Sequence, residues 1–152
     1  MSSNIYITPA LASDIPGLCR LLAILFSQEE EFTPDRDAQQ QGLRLIIDNP
    51  ESGLIFVARS RQRVVGMVSL LFTVSTALGN RVGLLEDMIV VPDHRGQSIG
   101  SQLLMRVIET ARQKGCKRIT LLTDQDCLAA HNFYQSHGFA KSPMIPLRIF
   151  LN

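Results

Sequence analysis

The spacing of apolar residues changes several times along the chain, and each change marks a predicted element. Residues 5–8 (IYIT) read as a short opening strand. From Ile15 the period lengthens: Ile15, Leu18, Leu22 and Leu25 share one helical face, and Leu21, Ile24 and Phe26 widen it. Ser13 or Asp14 is placed to cap this helix, with Pro16 tolerated in its first turn. The polar stretch QEEEFTPDRD precedes a second predicted helix over residues 37–47, which the Asn49-Pro50 turn ends. LIFVARS (54–60) and VVGMVSLLFTV (64–74) flank RQR as a hairpin, and ALGNRVG reads as a loop. LLEDMIVVP (84–92) reads as a strand with an acidic pair inside it.

Leu103, Leu104, Val107, Ile108 and Ala111 line one face of the next helix, which Gly115 ends. RITLLTD (118–124) is a further predicted strand. DCLAAHNFYQSHGF holds a helix that stops near Gly138, and MIPLRIFL (144–151) is a closing strand. Strand, helix, helix, three strands, helix, strand, helix, strand is the resulting order. It predicts an α/β (α+β) fold, a mixed central sheet flanked by helices, in one domain over residues 1–152.

A chain of 152 residues can bury about two thirds of its extended surface. Its 45% apolar and 19% charged content fits a soluble globular protein. Fifteen basic against fourteen acidic residues give a net charge of +1, so no basic surplus points to nucleic acid. Cys19, Cys116 and Cys127 form no CxxC pair, which argues against a disulfide framework and against a metal site. MSSNIYITPA lacks the pattern of a secretory leader, and no apolar run approaches the length of a membrane span. A cytoplasmic protein with no membrane partner is the expectation.

The candidate chemistry begins at VVPDHRGQSIGS (90–101), where a strand runs through glycines into a helix start. Such a junction gathers backbone N–H groups at one point, those of Gln97 to Ser101 being the candidates here, and the helix field adds to their pull on an anion. Arg95 can add a charge-assisted contact. The same glycines would also serve a plain strand–helix turn. No lysine follows Gly100 to complete a Walker loop, and GxGxxG is absent. Asp124 does lie where a ribose-binding acid would sit in a dinucleotide fold.

VVPDHRGQSIGSQLL resembles the V-x-P-x-x-R-G-x-G-I-G signature of the Gcn5-related N-acetyltransferase (GNAT) superfamily. CLAAHNFYQSHGF is similar to that superfamily's second signature, N-x-x-A-x-x-F-Y-x-x-x-G-F, matching at Ala130, Phe133, Tyr134, Gly138 and Phe139. The element order fits as well, so the resemblance covers essentially the whole chain. It implies a single-domain acyl-CoA N-acyltransferase-like fold with acetyl-coenzyme A as co-substrate. The reaction implied is direct ternary-complex transfer to a primary amine of an unidentified small molecule or peptide.

By the same resemblance, Arg95, Gly96, Gln97, Ser98, Ile99, Gly100 and Ser101 would cradle the pyrophosphate. Ile89, Val90 and Val91 would run beside the pantetheine arm where the strand splays open, an N–H of Val90 or Ile89 polarising the carbonyl. Tyr134 would protonate or steady the departing thiolate. Strand alternation sends Glu86 and Asp87 to opposite faces, and of the two the resemblance implies Glu86 as the amine base, acting directly or through water.

Two positions depart from the family pattern. Ser98 replaces the middle glycine, where its hydroxyl could become a further donor. Cys127 replaces the asparagine, and a thiol cannot orient the cofactor as an amide does, so that role is given up or passes to Asp126 or Asn132. A nucleophilic Cys127 would need an activator, and His131 lies four residues on. Glu29, Glu30 and Glu31 would attract a cationic acceptor or form a solvated charge run. A non-catalytic acyl-CoA-binding regulatory domain is the alternative to an enzyme, and Tyr134 argues for the enzyme. The apolar closing strand is compatible with a homodimer and equally with an internal strand.

Overall fold

A computed structural model describes residues 4–28 and 35–152, and Glu29, Glu30 and Glu31 lie outside them. Two compact units follow one another along the chain, the first ending at Leu122 and the second covering Thr123–Asn152. The first unit contains β1 (Ile5–Pro9), α1 (Ile15–Gln28), α2 (Arg36–Ile47), β2 (Gly53–Ser60), β3 (Arg63–Ser75), β4 (Asn80–Val90), α3 (Ile99–Gln113) and β5 (Ile119–Leu121). These strands form one five-stranded sheet in the order β1-β2-β3-β4-β5. Its first three pairings are antiparallel and the last, β4 with β5, is parallel. The mixed sheet flanked by helices expected from the element order is therefore present.

β3 is buried continuously from Val64 to Leu70, without the alternation of a strand that has one wet face. Both of its faces are covered. A Cβ at Gly66 would stand 3.1 Å from Leu103 Cδ1 and 3.3 Å from the Ile89 carbonyl oxygen, so glycine there lets α3 lie close on the sheet. On α1, a Cβ at Gly17 would meet Val64 Cβ at 3.5 Å. Leu18, Leu21, Met67, Leu70, Ile99, Leu103 and Leu104 are the large side chains at the centre of this core.

Asp14 ties the start of α1 to the sheet. Its carboxylate accepts the Leu11 N–H at 2.7 Å and both terminal nitrogens of Arg59 at 2.8 and 2.6 Å. Arg59 Nε donates to Thr8 Oγ1 at 3.0 Å, so β1, β2 and α1 meet on one guanidinium. Asp35 caps α2 by accepting the Ala38 N–H at 3.2 Å.

Three sequence expectations are corrected here. The loop over 77–83 is confined to a turn before Asn80, closed by Gly79 at φ +67°. Residues Asn80–Gly83 extend β4 because they pair with Phe72–Ser75 of a long β3. The strand over 118–124 is only Ile119–Leu121, matching the three residues of β4 that it pairs with. No closing strand forms over 144–151: the second unit contains one helix, α4 (Leu128–Ser136), and residues 141–152 carry neither helix nor strand.

Burial alone would raise the Asp14 pKa, but the hydrogen bonds from Arg59 and Leu11 and the guanidinium charge hold it below the ordinary value. A depressed carboxylate stabilises the fold above its unfolded pKa, and this contribution disappears as acid protonates it below about pH 4. Asp14→Ala should lower the unfolding free energy at pH 7 by about 2–3 kcal/mol, because Arg59 is left half-buried without its partner. Urea titration at pH 7 and pH 3 checks this, and the variant should lose less stability than the wild type between the two.

Candidate active site

The parallel pair β4–β5 is short. Gly83, Leu84 and Leu85 are matched with Ile119, Thr120 and Leu121, and the Gly83 N–H bonds to the Arg118 carbonyl at 2.8 Å. Past Leu85, β4 continues to Val90 with β3 as its only strand neighbour among the described residues. The sheet forks at that point. On the β3 side the register also shifts: Leu70 faces Leu85 and Val68 faces Met88, leaving Glu86 and Asp87 together opposite Ser69. Two residues against one make a β-bulge, a device that bends a strand and re-aims its side chains.

Ser69 holds the bulge. Its Oγ accepts the Asp87 N–H at 3.0 Å and donates to Asp87 Oδ2 at 3.1 Å. Ser69 is fully buried and Glu86 exposed. Burial pushes the Asp87 pKa up to about 6, against the Ser69 hydrogen bond and with the help of the Glu86 charge. The simple alternation used to separate Glu86 from Asp87 does not carry across a bulge. Ser69 and Asp87 were missed as a pair because their pairing depends on the register of two distant strands.

Beyond the bulge, the Val91 N–H bonds to the Val65 carbonyl at 2.9 Å. Alternation in an antiparallel ladder then turns the Ile89 N–H toward β3 as well, and the N–H groups of Met88 and Val90 toward the fork. The Val90 carbonyl agrees with this parity, since it faces away from β3 to accept Arg95 Nε at 3.0 Å. Of the two residues expected to offer a strand N–H, Val90 has it on the open edge. Ile89 has it in the ladder. Met88 joins Val90 on that edge, a position the sequence pattern did not single out.

The turn after β4 is pegged at both ends. Val91 and Ile99 are 4% and 1% exposed, whereas Arg95, Gly96, Gln97 and Ser98 face solvent. Gly96 and Ser98 both have positive φ, +77° and +64°. The first backbone bond within α3 runs from the Gln102 N–H to the Ser98 carbonyl at 3.0 Å. The N–H groups of Ile99, Gly100 and Ser101 therefore sit in the first turn, where helix geometry supplies no acceptor. A left-handed Ser98 followed by a helical Ile99 points successive N–H groups into one concavity, a nest of the kind that takes anions. The Ser98 side chain makes no capping hydrogen bond. Donors at a helix start beside the Arg95 guanidinium fit a phosphate group.

In the second unit, Cys127 stands at the N-cap of α4 and is exposed, as are Asp126 and Asn132. His131 Nε2 lies 2.9 Å from the Asp124 carbonyl oxygen, which also accepts the Cys127 N–H at 3.1 Å. The Tyr134 ring meets Phe133 and Phe139 edge-on, with centroids at 5.2 and 5.7 Å. Burial, aided by the Cys127 charge, pushes its pKa up to about 12. Tyr134 therefore keeps its proton at neutral pH and can act as a donor. Among the described residues, no cluster of three or more His, Cys, Asp or Glu could hold a metal ion. None of their helices is long and apolar enough to cross a membrane.

A mixed sheet whose only parallel pair forks beside a donor-rich helix start has the layout of the acyl-CoA N-acyltransferase fold. The model of the Acetyltransferase (GNAT) family matches residues 17–139, and the chain belongs to that family. It is 32% identical over 133 residues to an aminoalkylphosphonate N-acetyltransferase from Salmonella typhimurium, covering 88% of this chain and 83% of the relative. A glucosamine 6-phosphate N-acetyltransferase from Trypanosoma brucei brucei is 35% identical over 86 residues, 56% of each chain. Among solved structures, a putative acetyltransferase from Agrobacterium tumefaciens superposes with a TM-score of 0.80 at 26% identity, covering 96% of this chain and 99% of that one. An aminoglycoside N-acetyltransferase in complex with CoA shares the fold at a TM-score of 0.83 and 17% identity, covering 99% and 97%.

A non-glycine residue in the left-handed region costs about 1–2 kcal/mol, part of which glycine returns through its greater freedom when unfolded. Ser98→Gly should therefore stabilise the chain by up to about 1 kcal/mol. Thermal unfolding at pH 7 should show a Tm higher by a few degrees, and a lower one would contradict the strain assigned to Ser98.

Proposed function

We propose that this chain transfers the acetyl group of acetyl-coenzyme A to a primary amine by direct attack in a ternary complex. One observation carries the reading: the open edge of β4 begins at the two carboxylates of the bulge and leads, through Val90 and Arg95, into the nest at Ser98. Arg95, the Gly96–Gln97 turn and the N–H groups of Ser98, Ile99, Gly100 and Ser101 would hold the pyrophosphate. The N–H groups of Met88 and Val90 would line the pantetheine arm, with Ile89 and Val91 holding that edge against β3. Acetyl-coenzyme A, when bound, supplies the acetyl group as an activated thioester.

The chain's own residues then manage protons and charge. A strand N–H at Val90 would donate to an oxygen on which negative charge grows, a form of stabilisation that needs no rearrangement during reaction. Asp87, ionised above a pKa of about 6, is suited to accept a proton from an ammonium near neutral pH. Glu86, exposed in the same bulge, is the other carboxylate able to do so. Tyr134 would give its proton to the leaving sulfur, and its raised pKa keeps that proton available. Asn132 is exposed on α4 and would orient the cofactor with its amide, which the Cys127 thiol cannot do. The acceptors to try first are small amines bearing a phosphonate or phosphate group, because two relatives are named for such substrates.

A coenzyme A release assay against a panel of amines, with aminoalkylphosphonates included, tests the activity itself. No release with any amine, despite measurable acetyl-coenzyme A binding, would leave the alternative of a non-catalytic acyl-CoA-binding domain. Tyr134→Phe keeps the ring packing and removes the hydroxyl, so the single-turnover rate should fall on the order of 10- to 1,000-fold while cofactor affinity changes little. An unchanged rate would show that Tyr134 is not the acid.

The wild-type kcat/KM should decline as pH falls through about 6, as the Asp87 carboxylate takes up its proton. Asp87→Asn should lower the rate and abolish that limb, and Glu86→Gln should retain it. The opposite pair of results would assign the base to Glu86.

A further inference from the structure

Ser69 interrupts the apolar run of β3, fully buried between Val68 and Leu70. A buried hydroxyl needs partners, and both of its partners belong to one residue. Ser69 Oγ accepts the Asp87 N–H at 3.0 Å, which fixes the direction of its own proton. That proton goes to Asp87 Oδ2 at 3.1 Å. The two bonds close a ring through the backbone and side chain of Asp87, so the carboxylate is held in one rotamer.

The ring makes the two carboxylate oxygens unlike. Oδ2 is occupied by Ser69. Oδ1 accepts no hydrogen bond from the described residues, and it is not one of the buried polar atoms without a partner, so solvent reaches it. Glu86 is the one charge that bears on this carboxylate. The charged side chains on elements packed against β4 lie elsewhere. Arg63 of β3 pairs with Asp93, Arg106 of α3 lies over the Phe56 ring, and Arg112 pairs with Glu109. Arg20 of α1 is exposed, and β5 carries no charged residue. Asp87 is thus a carboxylate with one oxygen tied down, one open, and no cation paired with it among the described residues.

We infer that Ser69 is the positioning residue of the proposed base, holding Oδ2 so that Oδ1 takes the proton of the acceptor amine. The inference rests on the reading of Asp87 as that base. In the step, an N–H bond of the ammonium breaks and an O–H bond forms at Oδ1, directly or across one water. Ser69 keeps its own proton on Oγ. The electron pair of the broken bond stays on nitrogen, ready to attack the thioester.

The pH dependence of kcat/KM in Ser69→Ala tests this, beside an NMR titration of the Asp87 carboxyl carbon in the same variant. Loss of the hydroxyl removes a donor that favours the ionised form. The acid limb and the carboxyl titration should therefore both move up by about one pH unit, the worth of a hydrogen bond to a charged group. Added to Asp87→Asn, which has no such limb, Ser69→Ala should cause no further loss. Ser69→Cys, a weaker donor of similar size, should move both in the same direction by less, and it decides where the alanine variant folds poorly. A limb that vanishes in Asp87→Asn yet stays in place in Ser69→Ala overturns the role of Ser69 and leaves the base assigned. Equal losses from Ser69→Ala with and without Asp87→Asn do the same, since the serine would then be structural only. A limb retained in Asp87→Asn removes the base reading and the inference with it. Where no amine is acetylated, a carboxyl titration unmoved by the loss of the hydroxyl overturns the inference.

Discussion

The constraint on which the rest of the site depends is the parting of β4 from β5 after Leu85. Backbone donors and acceptors buried without partners are costly, and a strand next to a parallel neighbour would ordinarily satisfy them along its length. Here the match stops after three residues, and β4 runs on to Val90 with one edge lacking a strand. That edge can be filled by water or by a ligand with amide and carbonyl groups of its own. A pantetheine arm is such a ligand, and the proposed cofactor site therefore runs along this gap in the sheet. The bulge at Glu86 and Asp87 falls at the point of parting, and the added bend it gives the strand is in keeping with the fork.

The far end of this edge is fixed by packing as well as by polar contacts. Val91 and Ile99 are buried on either side of a turn in which Arg95, Gly96, Gln97 and Ser98 are exposed. Leu103, one turn further along α3, reaches Gly66 on β3. The start of α3 is thus set by the core, and its first N–H groups are held open without a side chain to cap them. Arg95 links the two halves by donating to the Val90 carbonyl at 3.0 Å. A rigid turn with unsatisfied donors is preorganised for an anion, which then has little ordering to impose on binding.

What the sequence made legible follows from how local each feature is. The turn at 95–101 was readable because its glycines, its arginine and the amphipathic face of α3 lie within a few residues of one another. Tyr134 was singled out through a contiguous signature. The Asp87–Ser69 pair was not, since it needs the register of β4 against β3 across 18 positions. Alternation within β4 alone put Glu86 and Asp87 on opposite faces, and a bulge is what alternation cannot see. The polar start of β4 was read as loop because Asn80 and Arg81 are poor strand signals, yet a long β3 supplies their partners. The apolar period of 144–151 has the pattern of a strand, but a strand also needs an edge, and the pattern does not say whose.

Ser69 shows how the bulge and the chemistry are coupled. Its hydroxyl oxygen accepts the Asp87 N–H and its proton goes to Asp87 Oδ2. That donation favours the ionised carboxylate, while burial favours the neutral acid. Burial is the larger influence, and the balance lies at about 6. Were the hydroxyl absent, the strand N–H would lose its acceptor, and the carboxylate would lose the hydrogen bond that keeps it ionised near pH 7. The pKa of the carboxylate in the bulge would then lie higher still. One buried serine thus ties the bend in the strand to the protonation of the carboxylate held there.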